Sequence, residues 1–144
     1  EPVEVSDHSL PGRISGRGVL LARFGGGDEG LVVAVAHLSL GANSRRAQLA
    51  FIAELLSAHP HAVLMGDFNC VPDRPEMELL YNRTHLRPPA FCVPTFPSWR
   101  PQKAIDHILV SEHLQSADAR ALPAAFSDHL ALALSIDVPR AALS

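Results

Sequence analysis

Three short polar clusters stand at the edges of apolar runs in this 144-residue chain: Gly66-Asp67-Phe68-Asn69, Ile105-Asp106-His107-Ile108 and Ser127-Asp128-His129. Asp67 and Asn69 follow the apolar run Ala62-Val63-Leu64-Met65, and residues two apart in a strand share a face. A carboxylate beside a carboxamide can hold an attacking water and a phosphoryl oxygen together. The carboxylate takes a proton or binds a cation, and the amide donates without adding repulsive charge. A plain turn, with Asp and Asn bonding their own backbone, explains the same four residues equally well. Asp106 is more telling, because a carboxylate inside an apolar strand needs a partner. A histidine is the natural one, since the carboxylate fixes the imidazole tautomer and stabilises its protonated form. His129 is the candidate and His107 the competitor. Asp128 opens an alternating strand and can bind a hard cation such as Mg²⁺, but Ser6-Asp7-His8 repeats the tripeptide in what reads as a loop. His37 ends a strong strand, as a phosphate-contacting histidine would, although a lone histidine there is more often structural. Together these groups are the inventory of a metal-assisted hydrolase.

The elements that must position them follow from patterning. Residues 1–18 are polar and turn-rich. Gly18–Phe24 and Leu31–Leu38 read as strands joined by the Gly25–Gly30 loop into an antiparallel pair, with Val32, Val33 and Val35 supplying β-branched weight. Ala42–Ala58 reads as a helix capped by Asn43 or Ser44, with Leu49, Ile52, Leu55 and Leu56 on one side and Arg45 and Arg46 on a solvated face. His61–Met65 follows as a buried strand, giving a β-α-β unit with strands able to run parallel. Asp73-Arg74-Pro75-Glu76 reads as a capping box opening a short helix to about Tyr81. Asn82–Gln102 is a long proline-rich loop of the kind that is more often functional than idle, and its Phe96 and Trp99 suit either a substrate edge or core packing. Ala104–Val110, Ala117–Leu122 and His129–Val138 complete the strands.

Bulk composition narrows the class. Apolar residues make up 47% and charged residues 19% of the chain, so it can bury a core as a single globular unit. Lys and Arg number 12 against 15 Asp and Glu, a formal net charge of -3, which counts against an extended basic groove for nucleic acid. It leaves a phosphate substrate open, because a bound cation supplies positive charge locally. Cys70 and Cys92 read as a reduced pair, and His59 and His61 as surface residues. No stretch approaches the roughly 20 apolar residues needed to span a bilayer. With no signal peptide visible, the expected location is cytoplasmic. The first residue is Glu1, and the expectation is a chain whose N-terminal part is missing.

In their order and separation, His37-Leu38, Gly66-Asp67-Phe68-Asn69, Ile105-Asp106-His107-Ile108 and Ser127-Asp128-His129 resemble the endonuclease/exonuclease/phosphatase superfamily, which has the fold of pancreatic deoxyribonuclease. Leu38-Ser39-Leu40-Gly41 and Thr95-Phe96-Pro97-Ser98-Trp99 look like a bacterial branch of it. The resemblance implies an α/β fold, the C-terminal half of a four-layer sandwich with a mixed sheet and flanking helices. It implies that residues 1–144 form a partial domain acting on a phosphate ester, nucleic acid included. Asp67 would orient or deprotonate the attacking water, and Asn69 would hold it and a phosphate oxygen. Asp128 would be a ligand of Mg²⁺ or Mn²⁺, with Asp67 and Asn69 in the same metal set. His129, paired with Asp106, would contact the scissile phosphate, and His37 would be a second phosphate contact. The family's N-terminal half also contributes an asparagine and a metal-binding glutamate. Nothing before His37 matches that pattern, since Glu1 and Glu4 stand in the wrong context. The expectations are therefore weak metal binding, little activity from these residues alone, and an opposing sheet face left uncovered.

Overall fold

The β-branched run Leu31–Ala36 forms a central strand of the computed structural model, which describes residues 1–144. Strands β1 (Glu4–Ser9), β2 (Gly18–Phe24), β3 (Leu31–Ala36), β4 (Ala62–Asp67), β5 (Leu86–Arg87) and β6 (Asp106–Ser111) build one sheet in the order β1-β2-β3-β4-β6-β5. Only β3 and β4 are parallel, joined by a helical crossover; every other neighbouring pair is antiparallel. The fold is thus α/β with a mixed sheet. Helices α1 (Ala42–Leu56) and α2 (Pro75–Arg83) cover one face, where Leu49, Ile52, Leu56, Met77 and Leu80 pack on Val32, Ala34, Leu64 and Leu109.

The opposite face is covered in part. Strands β7 (Ser116–Leu122) and β8 (Ala131–Ile136) pair as a separate antiparallel hairpin. Leu134 and Ile136, with Val138 beyond β8 and with Ala142 in the closing 3₁₀ turn (Arg140–Leu143), pack on Leu31, Val63, Met65, Ile108 and Val110. What stays open is a strip across β1, β2 and β3, where Val5, Leu20 and Val35 are 57%, 50% and 44% exposed.

Several local expectations are corrected. The polar N-terminal segment contains β1, an edge strand whose alternating polar residues carry no apolar signal, so Ser6-Asp7-His8 lies in a strand rather than a loop. Helix α1 begins after Gly41 with no side-chain cap, placing Asn43 and Ser44 inside its first turn. Arg74 takes the N-cap position of α2, Pro75 opens the helix as expected, and the helix runs on to Arg83. The capping box does not form with Asp73, because Glu76 is drawn to Arg45 instead. The proline-rich loop is shortened by the last turn of α2 and by β5, which adds to the edge of β6.

Arg45 is not on a solvated face. Its side chain is 6% exposed, and that of Glu76 is 3% exposed. Arg45 Nε and Nη2 donate to Glu76 Oε1 at 2.9 and 2.7 Å, and Nη1 donates to the Ser39 and Leu40 carbonyls. Gln48 Oε1 accepts from the Ser39 backbone N–H at 2.9 Å, and its Nε2 donates to Ser39 Oγ at 2.9 Å. This buried polar network clamps the segment that leaves β3 just after His37. Arg45 lies four residues before Leu49 and seven before Ile52, on the helix's buried stripe, a spacing that marks it as an inward residue.

Candidate active site

β4 and β6 run antiparallel with Asp67 opposite Asp106, so the end of one strand and the start of the other deliver two carboxylates to one edge of the sheet. Gly66 makes this geometry possible. Its φ is +143°, and a Cβ there would lie 1.8 Å from the backbone oxygen of Ala36. Because the obstacle is backbone, it cannot rotate away. Gly66→Ala is expected to lower stability by about 3 kcal/mol through backbone strain and overpacking. The check is a denaturant melt, and a loss under 1 kcal/mol would contradict this account.

His129 bridges the two carboxylates. Its Nδ1–H donates to Asp106 Oδ2 at 2.6 Å, and its Nε2 lies 3.7 Å from Asp67 Oδ2. His37 Nε2 approaches the same Asp67 oxygen at 3.4 Å. Thr95 Oγ1–H donates to Asp106 Oδ2 at 2.5 Å, and the ring of Phe96 packs on that of His129 with centroids 4.8 Å apart. Thr95 is fully buried, with its backbone bonded to Lys103 and Leu130. It thereby ties the proline-rich loop to both the β6 and β8 ends of the site. Sequence reasoning passed over Thr95 as a positioning residue, although its neighbours Phe96 and Trp99 had marked the loop. Trp99 itself is exposed.

Asn69 takes a left-handed conformation, φ 52°, with its N–H donating to Asp67 Oδ1 at 2.9 Å. Its Nδ2 donates to the Leu38 carbonyl at 2.7 Å, which leaves its side-chain oxygen available. Of the two histidines that competed for Asp106, His107 faces away. It is buried against Phe68, and its Nε2–H donates to the Cys70 carbonyl at 2.7 Å. Burial lowers the His107 pKa despite that bond and the two nearby aspartates. Asp128 is exposed, and its backbone carbonyl accepts from Ser98 N–H at 2.7 Å. Both cysteines are free, Cys70 buried with its thiol pushed up to about 11 by desolvation, and Cys92 exposed.

Asp67, Asp106 and His129 present ligand atoms all within 4.8 Å of one another. Asp106 and His129 thus converge on Asp67, Asn69 is joined to the same carboxylate through its backbone N–H, and Asp128 is not one of the three converging groups. Partial burial by itself would lower the His129 pKa, but the Asp106 hydrogen bond and the charges of Asp106, Asp67 and Asp128 outweigh it and raise the value. A raised pKa makes the pairing stabilising below the unfolded value of about 6.5, and that contribution is lost as pH rises through the folded value. The stability deficit of His129→Gln is thus expected to be largest below about pH 6 and to shrink toward pH 9. A deficit that grows with pH in chemical melts would reverse this assignment. Beside the cluster an open cleft of about 290 Å³ is walled by Val35, Met65, Ile108 and Leu130.

The comparisons with known proteins agree with this fold. The chain superposes on a functionally unknown conserved protein from Enterococcus faecalis with a TM-score of 0.75 at 20% identity, covering 95% of this chain and 66% of that one. A mannosyl-6-phosphatase from Bacteroides thetaiotaomicron matches at 0.75 and 17% identity, over 96% of this chain and 67% of that one. The inositol polyphosphate 5-phosphatase domain of a synaptojanin, in complex with inositol (1,4)-bisphosphate and calcium, matches at 0.64 and 19%, over 95% and 56%. The chain thus spans about two thirds of the length of the first of these structures or less. No curated protein matches the sequence. The sequence profile of the Endonuclease/Exonuclease/phosphatase family matches residues 2–129, from before β1 through His129, and the chain belongs to that family.

Proposed function

We propose that these residues form part of a metal-dependent phosphoesterase, and that its reaction is hydrolysis of a phosphodiester of the nuclease type. The observation that carries the reading is the meeting of Asp67, His129 and Asp106 at the paired ends of β4 and β6. Asp67 is placed to take the proton of an attacking water, with Asn69 holding that water through its free side-chain oxygen. His129, kept in the Nδ1–H tautomer by Asp106, carries a proton on Nε2 when charged and directs it at a phosphoryl oxygen. His37, whose Nε2 lies 3.4 Å from the same Asp67 oxygen, adds a second donor. The carboxylates suit a hard cation, Mg²⁺ or Mn²⁺, with Asp67 as a ligand and Asp128 and Asn69 as the further members of its set. Such an ion supplies Lewis-acid polarisation of the phosphoryl group.

A phosphatase acting on small phosphorylated molecules is the second reading, favoured by the net charge of -3. Plasmid DNA, an abasic oligonucleotide, sphingomyelin and inositol phosphates, each offered with Mg²⁺ to the complete gene product and its Asp67→Ala variant, separate the two. Asp67-dependent cleavage of either DNA supports the first reading, and cleavage of inositol phosphates alone supports the second. No Asp67-dependent release of phosphate or of cleaved ester from any substrate would defeat both. The 144 residues alone are expected to turn over little, and robust Mg²⁺-dependent activity from them would overturn that expectation.

A further inference from the structure

Four of the eight histidines lie near the end of the sheet opposite Asp67 and Asp106, and three of them form a cluster. His61 enters β4, His85 precedes β5, and His113 lies in the turn after β6. The His85 and His113 ring centroids are 4.8 Å apart, and those of His61 and His113 are 6.4 Å apart, so His113 stands between the other two. Six residues of extended chain separate His61 from Asp67, about 20 Å along β4. This cluster is therefore distinct from the hydrolytic one.

Two hydrogen bonds decide what the rings present. His61 Nδ1 lies 2.9 Å from the Glu29 carbonyl, which can only accept, so Nδ1 carries the hydrogen and Nε2 keeps a lone pair. His85 Nδ1 lies 3.3 Å from Glu112 Oε1, and Arg87 Nη2 holds the other Glu112 oxygen at 3.5 Å. The same tautomer follows for His85. An imidazole whose Nδ1–H is bonded to a carboxylate or a carbonyl, with Nε2 free, is the arrangement of metal-bound histidine. The backbone is prepared as well. Glu112 N–H donates to the His85 carbonyl at 2.8 Å, Val32 N–H to that of His61 at 2.9 Å, and Leu114 N–H closes the turn onto Ser111 at 2.9 Å.

We propose that His61, His85 and His113 form a three-histidine site for a transition-metal dication of the zinc type, with Glu112 orienting His85. A tetrahedral zinc with Zn–N of about 2.0–2.1 Å sets neighbouring ring centroids about 5 Å apart. The His85–His113 spacing already meets this, and His61, whose centroid is 6.4 Å from that of His113, must turn its side chain toward both of the other rings. Only Asp67, Asp106 and His129 have three ligand atoms mutually within 4.8 Å, so here the ion itself draws together the exposed rings of His85 and His113 and the half-buried ring of His61. Imidazole donors select zinc, copper or nickel over magnesium. Bound there, the ion ties the start of β4 to the β5 and β6 ends, a brace independent of the hydrolytic reaction.

The test is a Zn²⁺ titration of the Asp67→Ala chain followed by side-chain ¹⁵N NMR of its histidines, with Mg²⁺ as the comparison. One equivalent of Zn²⁺ is expected to shift the Nε2 resonances of His61, His85 and His113 together, while Mg²⁺ moves none of them. Glu112→Gln is expected to weaken Zn²⁺ binding by about 10–100-fold, the usual effect of losing a carboxylate behind a ligand histidine. His113→Gln should abolish the concerted shift with the fold retained, since all three rings reach the surface. Zn²⁺ shifts confined to His37 and His129, or to one histidine of the three, would overturn the proposal. So would a Glu112→Gln chain with unchanged Zn²⁺ affinity.

Discussion

Asp106→Asn is expected to cut hydrolysis by the complete protein by about 10⁴-fold, the scale of replacing the carboxylate behind a working imidazole. Asp106 Oδ2 accepts two hydrogen bonds, from His129 Nδ1 at 2.6 Å and from Thr95 Oγ1 at 2.5 Å. An asparagine offers one acceptor and one donor in their place. Thr95 can turn its hydroxyl to suit, so the fold survives, but His129 loses the charge that raises its pKa and the partner that fixes its tautomer. The asparagine amide N–H can donate to Nδ1, which turns the neutral ring to the other tautomer, and without the carboxylate the doubly protonated imidazolium on which the proposed phosphoryl contact depends is no longer stabilised. Two measurements check this: turnover of a chromogenic phosphodiester, and the ¹⁵N titration of His129, whose midpoint should fall relative to wild type. Turnover within tenfold of wild type would show that the pair is structural only.

Arg45→Met is expected to destabilise the protein by about 3 kcal/mol, because it leaves the buried Glu76 carboxylate with only the half-exposed Arg74 Nε, 3.7 Å away, to balance its charge. The same change frees the Ser39 and Leu40 carbonyls that Arg45 holds. Glu76→Gln should cost less than Arg45→Met, since its oxygen can still accept from Arg45. Replacing both partners by apolar residues is expected to recover much of the loss, which separates uncompensated charge from lost packing. The Glu76 side chain feels desolvation, which alone would raise its pKa. Its own backbone N–H and the Arg45 guanidinium overcome this and hold it below the usual range. Its contribution is therefore present above about pH 4.5 and is lost as pH falls through the lower folded value. Urea melts of wild type and Glu76→Gln between pH 3 and 7 should converge at the acid end, and curves that diverge there would contradict the pairing.

Much of the architecture was legible because it rests on local signals. The Val-rich strand, the helix with Leu49, Ile52 and Leu56 on one side, the parallel crossover and the alternating strand read over His129–Val138, which forms as Ala131–Ile136, all declare themselves through periodicity. Strand β1 did not, since an edge strand with a polar face carries no apolar alternation. Glu76 and Arg45 were misplaced for a different reason: each has a plausible local role, as a cap or a solvated charge. Only the approach of α2 to α1 makes burying both of them favourable.

For the site, residue type and spacing pointed to Asp67, Asn69, Asp106 and His129, with His107 as the competitor for Asp106, while His37 and Asp128 gained their roles only from the resemblance to the family. Tertiary structure decided the rest. The antiparallel register of β4 and β6 sets Asp67 opposite Asp106, and the loop bearing Thr95 joins the β8 end to β6, so Asp67, Asp106 and His129 are the side chains that meet. The same register gathers His61, His85 and His113 at the far end of those strands. A chain can specify which side chains carry chemistry by local composition. Which of them meet depends on strand pairing between segments tens of residues apart, and no local pattern encodes that.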